Sequence, residues 1–421
     1  MNCYAGKLLK NGEAYACGAW PRAEIWALRI LMNSRCFLAT ILNQLNIVLF
    51  LCLVLSQTSC TTIKRAKHIP RTTHLQATSF DKLDDWHKDD HREALQEFKK
   101  SCSMILKKSP TAPVSSLTKL GGLAAYWHKP CLEATLQTHP SKQEAKSFFE
   151  KWFTPYIVKD KHGNNIGQFT GYYEIELIAS LKKTRRFKYP IYMIPPNINK
   201  LKGNANFTHA AINKGILDGK KLEIAWVDNR ARLFLLHVQG SGVLKLSNGK
   251  ELKIGFADHN GYSYRSIHPL LVKHIGNKAH STPNFLHWLE QNPKLGRKIM
   301  EHNPSYVFFK VINGRSPIGG QGVPLRGERS IAIDSRLYPY GAPIWVQTKR
   351  ALRDNHPNRN YHRLFIAQDT GGAIKGAVRA DIFFGRGQRA ELLAGSMNQK
   401  GKYFILFPKK VKIPNAYRAK W

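Results

Sequence analysis

A chain of 421 residues with 43% hydrophobic and 22% charged side chains is long enough for two or three globular domains, which excludes a disordered or fibrous protein. Lys and Arg outnumber Asp and Glu by 65 to 28, a formal net charge of +37, and such a field favours polyanions: nucleic acid, anionic lipid, or a wall polymer bearing carboxylates. The basic residues are scattered rather than gathered in one arm or helix, which together with the export signal argues against nucleic acid.

Met32-Asn33-Ser34-Arg35 precedes a mostly apolar stretch ending in the unbroken run Ile47 to Leu55, the basic n-region and short h-region of a secretory signal peptide. Residues 1–31 read as an extension upstream of a second start at Met32, and 1–59 as the segment removed. Ser56-Gln57-Thr58-Ser59-Cys60 resembles the lipobox of bacterial lipoproteins, with Gln57 where that pattern usually has Leu. The resemblance implies lipidation of Cys60 and a membrane anchor. Thr61 is not the Asp that retains many lipoproteins at the inner membrane, so the expected location is the outer membrane, on its periplasmic face. Only Cys60, Cys102 and Cys131 survive processing, too few for a disulfide scaffold, although a Cys102–Cys131 bridge is possible in an oxidising compartment.

Residues 60–82 are polar and basic, as a linker from anchor to domain should be, and folded structure is expected to start near Leu83. From Trp86 to Leu106 apolar residues recur at helical spacing, and Ser141-Lys142-Gln143-Glu144 forms a capping box ahead of Phe148 and Phe149. Strands are expected at Leu222 to Val227, Leu233 to Val238, Val243 to Leu246 and Leu252 to Phe256, with a tight hairpin turn at Asn248-Gly249. A helix opens at Ser281-Thr282-Pro283 and ends near Asn292. Strands resume at Val307 to Val311, Ile331 to Ile333, Pro343 to Val346, Leu364 to Ala367, Ile382 to Phe384 and Tyr403 to Leu406. So many short strands with Gly-rich turns in the last hundred residues suggest a small closed barrel.

Three aspartates adjoin these apolar runs: Asp334, Asp369 and Asp381. A carboxylate there is partly desolvated, which raises its pKa. Turn formation or capping beside Thr and Gly is the better explanation of any one of them taken singly, and spacing alone does not decide it.

Thr170-Gly171-Tyr172-Tyr173-Glu174, Val238-Gln239-Gly240-Ser241-Gly242, Asn260-Gly261-Tyr262, Asn303 to Phe309, Gly322-Val323-Pro324-Leu325 and Ala367 to Gly376 together resemble the membrane-bound lytic murein transglycosylase A family, with its insert domain and its three-aspartate (3D) domain. The resemblance implies a mainly β fold with N-terminal helices. A double-psi β-barrel of residues 83–172 plus 312–421 would carry an inserted, barrel-like β-domain of residues 173–311, with a groove between them for a glycan strand. It implies a monomeric enzyme that cleaves the β-1,4 bond between N-acetylmuramic acid and N-acetylglucosamine in peptidoglycan, without metal or cofactor.

In the segment Arg379-Ala380-Asp381-Ile382 the family carries its essential aspartate, so Asp381 takes the role of acid and base, with Asp369 as an electrostatic or hydrogen-bonding neighbour and Asp334 as a structural turn acid. Gln239, Ser241, Thr170, Tyr172 and Tyr173 are the implied groove-lining residues. Arg379 and Lys375 read as solvated surface charge. The alternatives are a hydrolase using Asp369 as base for water, or a wall-binding lipoprotein without activity. His87 and His91 have the i, i+4 spacing of zinc ligands but lack the neighbouring Glu of metalloproteases, and the glycines around Gly320 and Gly385 match no nucleotide-binding pattern.

Overall fold

The computed structural model describes residues 73–418 apart from Arg315. The signal peptide, the start at Met32 and the lipid on Cys60 lie outside the described residues. Among those described, no helix is long and apolar enough to cross a membrane.

Ordered chain begins earlier than the Leu83 boundary. β1 (Thr73–Ala77) pairs antiparallel with β2 (Phe153–Asp160), and Leu75, 3% exposed, packs into the core opposite Val158. A strand this short has no readable periodicity and is held by its partner.

Three helices follow, the first and third where they are expected. His91–Ile105 is N-capped by the Asp90 side chain and buries Leu95, Phe98, Cys102 and Ile105 along one face. Ala125–Leu136 is tied to it by the Cys102–Cys131 disulfide, whose Cα atoms stand 5.2 Å apart. Lys142–Trp152 starts with the expected Ser141/Glu144 capping box. Rings of Phe98, Phe148, Phe149, Phe153 and Trp127 meet where these helices cover the sheet.

The strands of the C-terminal region are β9 (Ser330–Ile333), β10 (Pro343–Lys349), β11 (Asn360–Asp369), β12 (Arg379–Arg386) and β13 (Asn398–Pro408). With the first half of β3 (Gly167–Ser180) they pair in the order β13-β10-β11-β9-β12-β3, and β3 pairs back to β13, so the pairings form a closed circuit. Two of the pairings, β11–β9 and β12–β3, are parallel. The second half of β3 leaves the circuit and joins β4 (Tyr189–Tyr192), β5 (Glu223–Val227), β6 (Ser241–Leu246), β7 (Glu251–His259) and β8 (Val307–Val311) in the order β4-β5-β3-β6-β7-β8. One isolated bridge, Met193 to Phe309, links the two ends of that order. The 14-residue β3 thus belongs to both sets of strands.

One expected strand is a helix. Leu233 to Val238 lies within the helix Arg230–Gln239, capped by the Asn229 side chain at its start and by left-handed Gly240, φ 78°, at its end. Leu233, Phe234, Leu235 and Leu236 are all buried. An apolar run buried on all sides shows no amphipathic period, so only its caps distinguish helix from strand. The helices His268–Ile275 and Pro293–Glu301 also lay unread, so residues 173–311 hold more helix than the β-domain expected there. The Asn248-Gly249 hairpin forms, with positive φ at Gly249 alone, 76°.

Candidate active site

Asp381 sits inside β12, flanked by a strand on each side: it stands opposite Thr170 of β3 in parallel register and opposite Ala332 of β9 in antiparallel register. Alternation along β12 buries Ala380 and Ile382 completely and turns Asp381 to the other face, where it is half-buried. Thr170 Oγ1 donates to Asp381 Oδ1 at 2.6 Å, and Arg379 donates to Thr170 Oγ1 at 2.8 Å. Arg379, two residues before Asp381, therefore faces the site rather than solvent. Burial pushes the Asp381 carboxyl above the usual carboxylate range, against the opposing pull of the Arg379 charge and the Thr170 hydrogen bond.

Asp369 closes β11, at a break in its register with β9. Its Oδ2 accepts from the Tyr172 hydroxyl at 2.7 Å, and its Oδ1 accepts from the backbone N–H groups of Gly320 at 2.8 Å and Thr370 at 2.9 Å. Burial raises this carboxyl too, the three donors pull it down, and the Asp381 charge adds to the rise. Tyr172 is held well above the ordinary tyrosine range by burial and by Asp369 and Asp381, so it stays a donor. Among the described residues the two acids are therefore unequal: Asp369 has three donors that favour its charged form, whereas Asp381 has one hydrogen bond and a nearby guanidinium.

The glycine of this arrangement has a steric reason. A Cβ on Gly320 would stand 2.6 Å from the Tyr340 hydroxyl, so only glycine brings this backbone N–H up to Asp369 past that ring. Tyr340 and Gly320 were missed as site residues. The signal was the glycine pair Gly319-Gly320 itself, discarded because it fits no nucleotide motif.

The other sequence candidates separate. Gln239 Oε1 accepts from the backbone N–H of Tyr173 at 2.9 Å, fastening the end of the helix Arg230–Gln239 to β3 next to the site. Ser241 opens β6 just beyond the Gly240 cap. Tyr173 does not line a groove: its side chain points to the opposite face of β3 from Tyr172 and is 3% exposed. Asp334 is fully buried and shares no hydrogen-bond partner with either acid, its oxygens taken by Arg336 (2.7 and 2.9 Å) and the Gly376 N–H (3.0 Å). Although burial raises it, these partners hold its carboxyl below the usual range. His91 is buried against Trp86 and Trp345, and no group of three or more metal-ligating side chains occurs among the described residues.

Residues 168–310 match the MltA specific insert domain and residues 329–407 match the 3D domain. The membrane-bound lytic murein transglycosylase A of Escherichia coli (strain K12) is 34% identical over 252 residues, 59% of this chain and 67% of that protein. That of Vibrio cholerae is 33% identical over 253 residues, 59% of this chain and 66% of that protein. Among solved structures, MltA from Neisseria gonorrhoeae (TM-score 0.67, 30% identity) covers 81% of this chain and 94% of its own. The membrane-bound lytic murein transglycosylase from Agrobacterium tumefaciens (TM-score 0.70, 29% identity) covers 80% and 98%. Escherichia coli MltA with bound chitohexaose (TM-score 0.60, 27% identity) covers 80% and 94%.

The two matched domains and a mainly β fold with helices at its N-terminus, shared with these neighbours, define an enzyme of the lytic transglycosylase class. The chain belongs to the membrane-bound lytic murein transglycosylase A family.

Proposed function

We propose that this enzyme cleaves the β-1,4 bond between N-acetylmuramic acid and N-acetylglucosamine in peptidoglycan, leaving a 1,6-anhydromuramic acid end, with Asp381 as its one acid and base. The observation that carries the reading is the inequality of the two carboxyl groups: Asp369 is saturated with donors, and Asp381 is desolvated with one side-chain hydrogen bond, from Thr170.

Hydrolysis of a glycosidic bond needs a leaving-group acid and a second carboxylate to attack carbon or activate water. Here the C6 hydroxyl of muramic acid is the nucleophile, already tethered to its own C1, and well-oriented intramolecular reactions reach effective molarities on the order of 10⁵ M. Asp381 gives its proton to the departing oxygen and takes the proton of the C6 hydroxyl, so one carboxyl group serves twice. Asp369, held by Tyr172, Gly320 and Thr370, keeps negative charge beside the cation-like transition state and favours a proton on Asp381. Thr170 orients the Asp381 oxygen.

The closed circuit of strands is a double-psi β-barrel built from residues 83–172 and 312–421, extended by β1, and residues 173–311 are the inserted domain. The groove between them takes the glycan strand, with Gln239, Ser241 and Tyr172 along it. A relative in this fold binds chitohexaose, an N-acetylglucosamine chain. The enzyme works as a monomer, without metal or cofactor, held by a lipid on Cys60 to the periplasmic face of the outer membrane. Its relatives are named membrane-bound.

Mass spectrometry of digested peptidoglycan tests the reaction. Anhydro ends are expected, and Asp381→Asn is expected to abolish their release. Products one water heavier would show hydrolysis instead, and undiminished release by Asp381→Asn would remove Asp381 from the chemistry.

A further inference from the structure

Two adjoining cavities with basic side chains in their walls lie near the two aspartate-bearing strands. Two positions beyond Asp381 on β12 and beyond Tyr172 on β3, on the same face, stand Phe383 and Glu174. Both line a cavity of ≈ 270 Å³ together with Lys100, Leu325, Arg326 and Arg386. A second cavity of ≈ 820 Å³ shares Lys100 and Arg326 with the first and continues along the helix His91–Ile105, past Glu97, Lys99, Ser103 and Lys107. Lys100 and Ser103 share one face of this helix, and Lys107, two residues past its end, lines the same cavity, so the cations form a wall.

Each cavity also borders a buried acceptor without a donor among the described residues. Glu174 is 1% exposed and its Oε1 has no hydrogen-bond partner among the described residues. Glu97 is fully buried; Lys100 binds its Oε1 at 2.8 Å, and Oε2 has no partner. A buried oxygen left unmatched is costly, and one that borders a cavity is matched when a ligand brings the donor. Three cations remain open to solvent on the same wall: Lys100, whose side chain is 38% exposed, Arg326, which shares Glu93 with Arg329 and is 46% exposed, and Lys107. Arg386 is committed to Glu176 and Glu251, and Lys99 to the Gln137 carbonyl.

The ligand that satisfies both sets carries amide N–H donors and carboxylates close together, which is the chemistry of a short acidic peptide. In peptidoglycan such a peptide is joined to the lactyl group of the muramic acid whose C1 reacts, and the groove made by the two cavities is lined by Phe383, two positions along β12 from Asp381. We propose that the groove binds this peptide stem, so that the enzyme prefers stem-bearing glycan strands; the proposal rests on the lytic transglycosylase reading above. The occupant is recognised by charge-assisted hydrogen bonds from Lys100, Lys107 and Arg326 to its carboxylates and by its amides donating to Glu174 and Glu97.

The test uses the purified full chain and two substrates: intact glycan strands, and the same strands stripped of peptides by an amidase. The wild-type kcat/KM is expected to be about tenfold or more higher on intact strands, the size of one charge-assisted hydrogen bond. In Arg326→Gln and Lys107→Gln, both at exposed positions, and in Lys100→Gln, at a half-buried position paired with Glu97, that ratio falls toward one. Free stem peptides, added as competitors, slow the wild type on intact strands more than they slow these variants. A wild-type ratio near one, or a ratio the three variants leave unchanged, overturns the proposal. Absence of anhydro products from both substrates refutes the transglycosylase reading instead.

Discussion

Thr170 Oγ1 donates to Asp381 Oδ1 at 2.6 Å while itself accepting from Arg379 at 2.8 Å. Three residues from two parallel strands thus form one chain of hydrogen bonds ending on the carboxyl assigned the chemistry. Both partners favour the charged form of Asp381, against burial, and so tune how late in pH it loses its proton.

In the proposed mechanism Asp381 must hold a proton to begin the reaction, so activity is expected to fall as pH rises through its elevated pKa. Arg379→Gln and Thr170→Val each remove an influence that lowers that pKa, so both should move the alkaline limb of the kcat/KM profile to higher pH. Thr170→Val should also lower kcat by about tenfold through lost orientation of the acid. A pH series on the two variants measures both effects. A limb that moves to lower pH would contradict the assignment.

Tyr172→Phe deletes one of the three donors to Asp369. Asp369 then holds negative charge less readily, and kcat should drop by about ten- to a hundredfold, as for the loss of a charge-assisted hydrogen bond. Thermal unfolding should change little, because Tyr172 is half-buried at the site. Rates and melting curves measured side by side separate these effects.

Arg329 is fully buried and bound by Asp89 at 2.8 and 2.9 Å and by Glu93 at 2.9 Å, which joins the helix His91–Ile105 to the strand below it. Asp89→Asn leaves the guanidinium short of charge compensation and should cost about 3 kcal/mol. Urea denaturation gives this value directly. Arg329→Met, which removes the buried charge as well, should cost less than expected from the count of lost bonds.

His91 and His209 are buried neutral, each with its pKa lowered by desolvation from 6.5 to about 4. A base depressed in the folded state contributes stability that is complete above pH 6.5 and is lost as pH falls toward 4. At pH 5 the loss should be about 2 kcal/mol per histidine, partly offset by the raised carboxyls of Asp369, Asp381, Glu97 and Glu174, which favour lower pH. Urea titrations at pH 7.5 and pH 5 should show the decrease, and His209→Asn should flatten it.

The individual elements were largely legible because each carries its own local signal. Ser141 and Glu144 mark a helix start through two reciprocal hydrogen bonds, and β-branched and aromatic runs bounded by glycine mark β9 to β13. The failures occur where local signals are silent. Leu233 to Leu236 is buried all round and shows no period, and β1 exists because Leu75 finds Val158 across a gap of more than eighty residues.

The same division holds at the site. By itself the sequence determined that three aspartates end or interrupt apolar strands and that the chain resembles one family, a resemblance that singles out Asp381 as the candidate acid. Only the tertiary structure decided which acids meet. It brought β3 beside β12 in parallel register, so that Thr170 reaches Asp381 and Tyr172 faces Asp369, and it left Asp334 with Arg336. It also turned Tyr173 inward and Arg379 toward Thr170. The physical reason is that a parallel pairing between residues more than two hundred positions apart is set by closing the whole circuit of strands, and no local preference encodes it.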